Sequence, residues 1–88
     1  MKLKNGVILA RNGEEYVLIT AGEAMRAFPG MIRLNDTAAA AMRELQHETT
    51  QEALVQSLTA RYEVSEEVAR THVQTLLEQL RSVALLEE

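Results

Sequence analysis

The residue types that most often carry out chemistry are sparse in this 88-residue chain, and they are not spaced to act together. The chain contains no cysteine, which excludes disulfides, thiolate metal ligands and a cysteine nucleophile. Its two histidines, His47 and His72, fall on different predicted helices, and neither belongs to an HxH or HExxH motif. The sequence therefore predicts no metal site.

The paired carboxylates are adjacent in sequence, at Glu14-Glu15, Glu66-Glu67 and Glu87-Glu88. Adjacent side chains point apart on a helix or a strand, so these pairs cannot flank a scissile bond as a general acid and base. The four glycines are scattered and do not form a phosphate-binding loop. We therefore predict no catalytic residues and no cofactor, and we expect a protein that is not an enzyme.

Main-chain groups offer a better prospect for binding, at the short predicted strand Met31 to Leu34. This strand follows Pro29-Gly30 and has a hairpin to pair with on at most one side. An edge strand presents unpaired N–H and C=O groups to which an extended peptide adds as a further strand. The last helix would lie beside it, with Arg70 and Arg81 available for acidic peptide residues. The alternative is that the strand's apolar residues belong to the core and its arginine is solvated.

Three short strands are predicted to build the sheet that contains this edge. Apolar and β-branched runs predict strands over residues 7–11, 15–20 and 31–34. Asn12-Gly13 lies between the first two strands and predicts a hairpin, because both residues tolerate positive φ. Residues 21–30 are ambiguous, since they either extend the second strand or form a helical turn before Pro29-Gly30.

Three helices are predicted after the strands, over residues 36–47, 50–61 and 65–82, with apolar stripes at helical spacing. Their starts are marked by Asn35 or Asp36, by the capping box from Thr49 to Glu52, and by Ser65. The expected fold is a single α+β domain over residues 1–88. It has a winged helix-turn-helix-like arrangement of three short antiparallel β-strands followed by three α-helices.

Charge is divided unevenly along the chain, which has a net charge of −4. Through Leu34 there are five basic and three acidic residues, a net charge of +2, whereas four arginines face ten acidic residues afterwards, a net charge of −6. Nucleic-acid binding normally needs a basic surface. A winged-helix DNA-binding or regulatory domain is therefore the runner-up, and we expect no nucleic-acid partner. With no membrane-spanning run and no signal-peptide core, we expect a cytoplasmic protein.

Four segments follow one another in an order and at spacings that are informative together. They are Arg33-Leu34-Asn35-Asp36-Thr37-Ala38, Thr49-Thr50-Gln51-Glu52-Ala53-Leu54, Arg61-Tyr62-Glu63-Val64-Ser65 and Leu80-Arg81-Ser82-Val83-Ala84-Leu85-Leu86. Together they resemble the PqqD-like family over nearly the whole chain. The sequence departs from that pattern at Ala40-Ala41-Met42, where members often carry a bulky aromatic residue, and at Ala84-Leu85, where many have Gly-Leu.

The resemblance implies a non-catalytic recognition element that binds the leader segment of a ribosomally synthesised precursor peptide. It also implies a modifying enzyme as partner, either a radical S-adenosylmethionine enzyme or a leader peptidase. The leader would add antiparallel to the third strand, with the last helix as the other wall. The peptide-binding residues carried over are Met31, Ile32, Arg33 and Leu34 on the strand, and Arg70, Val73, Gln74, Leu77 and Arg81 on the helix.

Two further expectations follow from an exposed edge strand. Ile32→Pro is expected to remove leader binding, because proline deletes a donor of the ladder. Besides leader binding and DNA binding, a third hypothesis is a homodimer that covers its own edge strand. A short exposed strand can pair with the same strand of a second copy as well as with a peptide.

Overall fold

The structure is a computed structural model that describes residues 1–88. Its strands are Lys2–Leu3 (β1), Val7–Asn12 (β2), Glu15–Thr20 (β3), Met31–Leu34 (β4) and Leu86–Glu87 (β5), and its helices are Ala24–Ala27 (α1), Asp36–Glu44 (α2), Gln51–Arg61 (α3) and Glu66–Ser82 (α4). Strands β2, β3 and β4 form an antiparallel sheet in that order. The predicted α+β class is confirmed. The winged-helix description is approximate, because a fourth helix and a second, two-stranded sheet are also present.

The β2–β3 hairpin closes through a two-residue loop. Asn12 pairs with Glu15, so Gly13 and Glu14 are the two central residues of the turn. Gly13 has a φ of +67°, as a type II′ turn requires at its first central position. The hairpin predicted from Asn12-Gly13 therefore forms, with β2 one residue longer than expected.

The ambiguous segment 21–30 contains a single helical turn, α1. The hydroxyl of Thr20 donates to the carbonyl oxygen of Phe28 at 2.7 Å, and Ala24 is buried. These two contacts fold the segment back on the end of β3, so the second predicted strand is not extended beyond Thr20.

The side-chain caps fix where the longer helices begin. The side chains of Asn35, Thr50 and Ser65 each accept a hydrogen bond from the backbone N–H three residues later. Thr50, and not Thr49 of the predicted capping box, is the cap of α3. Helix α2 ends at Glu44, earlier than the predicted residue 47. The chain turns away there, because the carbonyl of Leu45 accepts from the N–H of Leu3 at 2.7 Å.

One core of sixteen buried apolar residues joins the sheet to the helices. Leu45, Leu54 and Leu77 are completely buried within it. The unpredicted strands β1 and β5 pair antiparallel and add Leu3 and Leu86 to the core. Two-residue strands are too short to show an alternating pattern, so the sequence gives no signal for them.

Helix α4 ends in a Schellman motif whose left-handed residue is an alanine. The N–H of Leu85 donates to the carbonyl of Leu80 at 3.0 Å, and the N–H of Ala84 donates to the carbonyl of Arg81 at 3.1 Å. Ala84 has a φ of +56°, a conformation that glycine adopts without a steric penalty.

We expect Ala84→Gly to raise the free energy of unfolding by about 1 kcal/mol, because a left-handed alanine costs roughly 1–2 kcal/mol and the extra freedom of unfolded glycine offsets part of the gain. Urea denaturation measures the change. Gly13→Ala is the matched reverse substitution, because Gly13 has a φ of +67° and open space around its Cα. It should lower stability by a similar amount. A destabilised Ala84→Gly variant would contradict the assigned conformation.

Candidate functional site

An open groove runs between the edge strand β4 and helix α4. Its cavity has a volume of about 410 Å³, which lies in the usual range for ligand pockets. Apolar side chains of β4 and α4 form its walls, and α2 contributes to its base. The lining residues include Ile32, Arg33 and Leu34 of β4, Leu76, Gln79, Leu80 and Val83 of α4, and Ala38 and Met42 of α2.

A second cavity of about 220 Å³ extends the groove past the start of α2. It shares Asn35, Ala38, Leu76 and Gln79 with the first cavity, and its rim includes His72. The two cavities therefore form one trough along α4.

The side chains of β4 alternate between the groove and the outer face of the sheet. Ile32 and Leu34 are half-buried and point towards the groove, whereas Met31 and Arg33 are exposed and point to the other face of the strand. Arg33 also borders the groove, but as an exposed residue. Met31 is 54% exposed and pairs directly with Ile19 of β3. One face of the edge strand is thus part of an apolar groove, and the other carries a solvent-accessible cation.

The direction of the main-chain groups follows from the hydrogen bonds at the start of the sheet. The N–H of Ala21 donates to the carbonyl of Gly6 at 2.8 Å, just beyond the end of the β2–β3 ladder. Hydrogen-bonded pairs recur at every second residue of an antiparallel ladder. The residues of β3 that bond to β2 are therefore Glu15, Val17 and Ile19.

The other residues of β3 turn their N–H and C=O groups towards β4. Their register partners on β4 are Ile32 and Leu34, whose main-chain groups are consequently used inside the sheet. The alternate residues Met31 and Arg33 direct their N–H and C=O groups at the open edge. No strand of the chain pairs with this side of β4.

The nine residues predicted to bind peptide are not all brought together. Met31, Ile32, Arg33 and Leu34 form the edge strand beside the groove. None of the five helix residues, Arg70, Val73, Gln74, Leu77 and Arg81, lines the groove between β4 and α4. Val73 and Leu77 are 1% and 0% exposed and belong to the core, although Val73 also borders the smaller cavity. The structure thus places these five helix residues outside this groove, and other positions of α4 line it.

The actual helical wall is formed by Leu76, Gln79 and Val83, together with buried Leu80. Leu76, Gln79 and Val83 are spaced three and four residues apart, as one face of a helix requires. Leu76 lies three residues after Val73 and four before Leu80, which is the spacing of the apolar stripe of a helix, so the sequence carries a signal for this wall. The sequence does not show which residues of that stripe face the core and which face the groove.

Arg70 lies outside the groove and is held by two carboxylates. Its guanidinium donates to both carboxylate oxygens of Glu52, at 2.8 and 3.1 Å, and to Glu66 at 2.9 Å. These hydrogen bonds raise the pKa of Arg70 above its ordinary value. The pKa of Glu52 is lowered by its hydrogen bonds from Arg70 and, secondarily, from Gln56. The charge of Arg70 is thus already compensated within the protein.

Arg81 is also hydrogen-bonded to a carboxylate of this chain, whereas Arg33 is not. The guanidinium of Arg81 donates to both carboxylate oxygens of Glu88, at 3.0 and 2.8 Å, which raises the pKa of Arg81 and lowers that of Glu88. Arg33 is only 3.7 Å from Glu15, with both side chains largely exposed. Its guanidinium makes no hydrogen bond to a carboxylate and is the available cation at the sheet edge.

The structure shows neither a group of metal ligands nor a membrane-spanning helix. No three or more histidine, aspartate or glutamate side chains are grouped so that they could hold a metal ion. None of the helices combines the length and the apolar character needed to cross a membrane.

Two solved structures share this fold. TbiB1 in complex with the TbiA(beta) leader peptide is similar with a TM-score of 0.78 and 22% identity, over 99% of this chain and 95% of that one. A lasso peptide synthetase B1 complexed with the leader peptide has a TM-score of 0.73 and 25% identity, over 96% and 93% of the two chains. No curated protein matches the sequence. The model of the family of coenzyme PQQ synthesis protein D matches residues 7–86, so this chain belongs to the PqqD family.

Proposed function

We propose that this protein recognises the leader segment of a ribosomally synthesised precursor peptide by adding it as a strand to β4. The observation that carries the proposal is an edge strand with free main-chain groups beside an apolar groove. Membership of the PqqD family and the likeness to two proteins solved with leader peptides support it.

Main-chain pairing would supply affinity that depends little on sequence. An antiparallel peptide would accept from the N–H groups of Met31 and Arg33 and donate to their carbonyls, giving four hydrogen bonds. Peptide side chains opposite Ile32 and Leu34 would enter the groove, because directly opposite residues of a ladder share a face. Peptide-binding specificity would then come from the groove walls.

We propose that the protein itself carries out no chemistry and delivers the peptide to a modifying enzyme in the cytoplasm, where ribosomal precursors are made. That enzyme would be a radical S-adenosylmethionine enzyme or a leader peptidase. A free leader is disordered, so the cost of ordering it favours moderate affinity and rapid exchange. Tethering the leader in this way raises the concentration of the attached core segment at the enzyme.

Fluorescence anisotropy tests the proposal directly. The probe is a labelled leader taken from a short precursor encoded beside the gene, with the core segment of the same precursor as the control. We expect saturable binding of the leader, competition by unlabelled leader and no binding of the core. Binding of random duplex DNA at low salt without leader binding would favour the winged-helix alternative. If light scattering shows a dimer that must dissociate before the leader binds, a second copy of the chain occupies the edge of β4.

We expect Arg70→Gln to leave the affinity for the leader within about twofold of the unchanged protein, a difference below 0.5 kcal/mol. Arg70 is bound to Glu52 and Glu66 outside the groove, so neutralising it removes contacts that no peptide shares. The same anisotropy titration measures the affinity. A tenfold loss, with an unchanged circular dichroism spectrum, would place Arg70 in the binding surface after all.

A further inference from the structure

The proposed strand addition has a consequence for the sequence of the peptide, because the β4 edge presents two different environments in alternation. The groove side, at Ile32 and Leu34, is apolar. The outer side, at Arg33, carries a guanidinium that is 78% exposed. Each leader residue would face one of these environments, according to the residue of β4 that it opposes.

The leader residue opposite Arg33 would form a hydrogen-bonded pair with it, since the main-chain groups of Arg33 face the open edge. Directly opposite side chains lie on the same face with Cβ atoms about 5 Å apart. The side chain of this leader residue would therefore lie next to the guanidinium of Arg33, on the solvent side of the sheet. Its two neighbours in the leader would both point into the groove.

The charges around the site indicate what this outward residue is. Arg70 and Arg81 are bound to glutamates of this chain, which leaves Arg33 as the cation beside the edge. The contact between Arg33 and Glu15 is long, at 3.7 Å, and comes from the strand on the other side of β4. A carboxylate on the leader side can pair with Arg33 without displacing Glu15.

We infer that the leader segment seated on β4 carries the triplet apolar–acidic–apolar, with the acidic side chain paired to Arg33. This inference rests on the proposed function. The two apolar side chains occupy the groove walled by Leu76 and Val83. The inference assigns Arg33 as a specificity-determining residue, in place of the helix arginines that the sequence suggested.

Synthetic peptides test this inference with the protein alone. The reference peptide is Ser-Ser-Leu-Glu-Val-Ser-Ser with capped ends, and two variants replace its Glu with Gln or Lys. A fourth peptide, Ser-Ser-Leu-Val-Glu-Ser-Ser, exchanges Glu and Val and keeps the composition. Because alternate side chains face the groove, each register of this peptide places either the glutamate or a serine in the groove. Amide chemical shifts of the labelled protein report both the affinity and the location of binding.

We expect the Glu peptide to bind up to about fivefold more tightly than the Gln peptide, and the Lys peptide to bind most weakly. The exchanged peptide should be weaker than the reference by a similar factor or more. Arg33→Glu should reverse the order of the Glu and Lys peptides, whereas Arg33→Gln should bring the affinities for the two peptides together.

Equal binding of the Glu, Gln and Lys peptides, with shifts on β4, would overturn the inference while leaving the proposed function standing. Shifts on β4 whose order of affinity does not respond to Arg33→Glu would also overturn it. If none of the peptides shifts the amides of β4, both the inference and the proposed mode of binding fail.

Discussion

Arg33→Pro should abolish leader binding while leaving the protein folded. The N–H of Arg33 points at the open edge, so replacing it with a proline ring removes a donor that only the peptide uses. The ring also meets the peptide carbonyl that would have accepted from it, and an acceptor left unpaired costs about 1–3 kcal/mol. Together with the lost bond, this is at least a tenfold loss of affinity in the anisotropy titration.

Two control variants are needed. One distinguishes the loss of the Arg33 N–H from the loss of its side chain, and the other compares an N–H at the open edge with an N–H used inside the sheet. Arg33→Ala removes the guanidinium and keeps the N–H, so it should lose only the smaller contribution of the charge. Ile32→Pro, proposed from the sequence as the test of leader binding, is a different experiment. The N–H of Ile32 is used towards β3, so proline there should lower the unfolding midpoint.

The assigned direction of the main-chain groups would be wrong if the effects of the two prolines were exchanged. In that case Ile32→Pro would keep its stability and lose leader binding, whereas Arg33→Pro would be destabilised. Circular dichroism and thermal unfolding of both variants distinguish this outcome from a simple loss of fold.

Leu76→Asp should also weaken leader binding by at least tenfold. Leu76 is half-buried on α4 and borders both cavities of the trough. An aspartate there would place a carboxylate where the peptide's apolar side chains are expected, and desolvating it without a partner is costly. A loss of 1.4 kcal/mol is already tenfold in the dissociation constant.

Val68→Asp is the matched control on the same helix. Val68 is 44% exposed and does not line the groove, so this variant introduces the same charge without touching the peptide site. Anisotropy should show unchanged affinity for Val68→Asp and weak binding for Leu76→Asp. Equal losses in the two variants would mean that net charge, and not the groove, controls the affinity.

The parts of the fold that the sequence predicts best are those governed by local chemistry. Asn12-Gly13 predicts the hairpin, and Asn35 and Ser65 predict where two of the helices start, because a turn or a cap depends on a few neighbouring residues. The edge position of Met31 to Leu34 follows from the predicted chain order, since one hairpin precedes it and only helices are predicted to follow.

The parts that the sequence predicts poorly depend on contacts between distant segments. Leu45 ends α2 by accepting a hydrogen bond from Leu3, and β1 pairs with β5 from the other end of the chain. The helical wall of the groove is a similar case. Leu76 and Leu77 are adjacent leucines in one apolar stripe, and only the packing of α4 decides that Leu76 faces the groove and Leu77 the core.

The ion pairs of the helix arginines also could not be predicted from the sequence. Arg70 and Arg81 are suitable by type for acidic peptide residues, but their carboxylate partners belong to this chain. Glu52 and Glu88 lie 18 and 7 residues away in sequence from Arg70 and Arg81, and each pairing becomes visible only in the folded chain.

Amide hydrogen exchange of β4, with and without the leader, tests the central claim most directly. Ile32 and Leu34 donate inside the sheet and should be protected in both states, whereas Met31 and Arg33 face the open edge and should exchange rapidly in the free protein. We predict that the leader slows exchange at Met31 and Arg33 by at least about tenfold and has a smaller effect on Ile32 and Leu34. Leader binding that leaves Met31 and Arg33 unprotected would contradict strand addition.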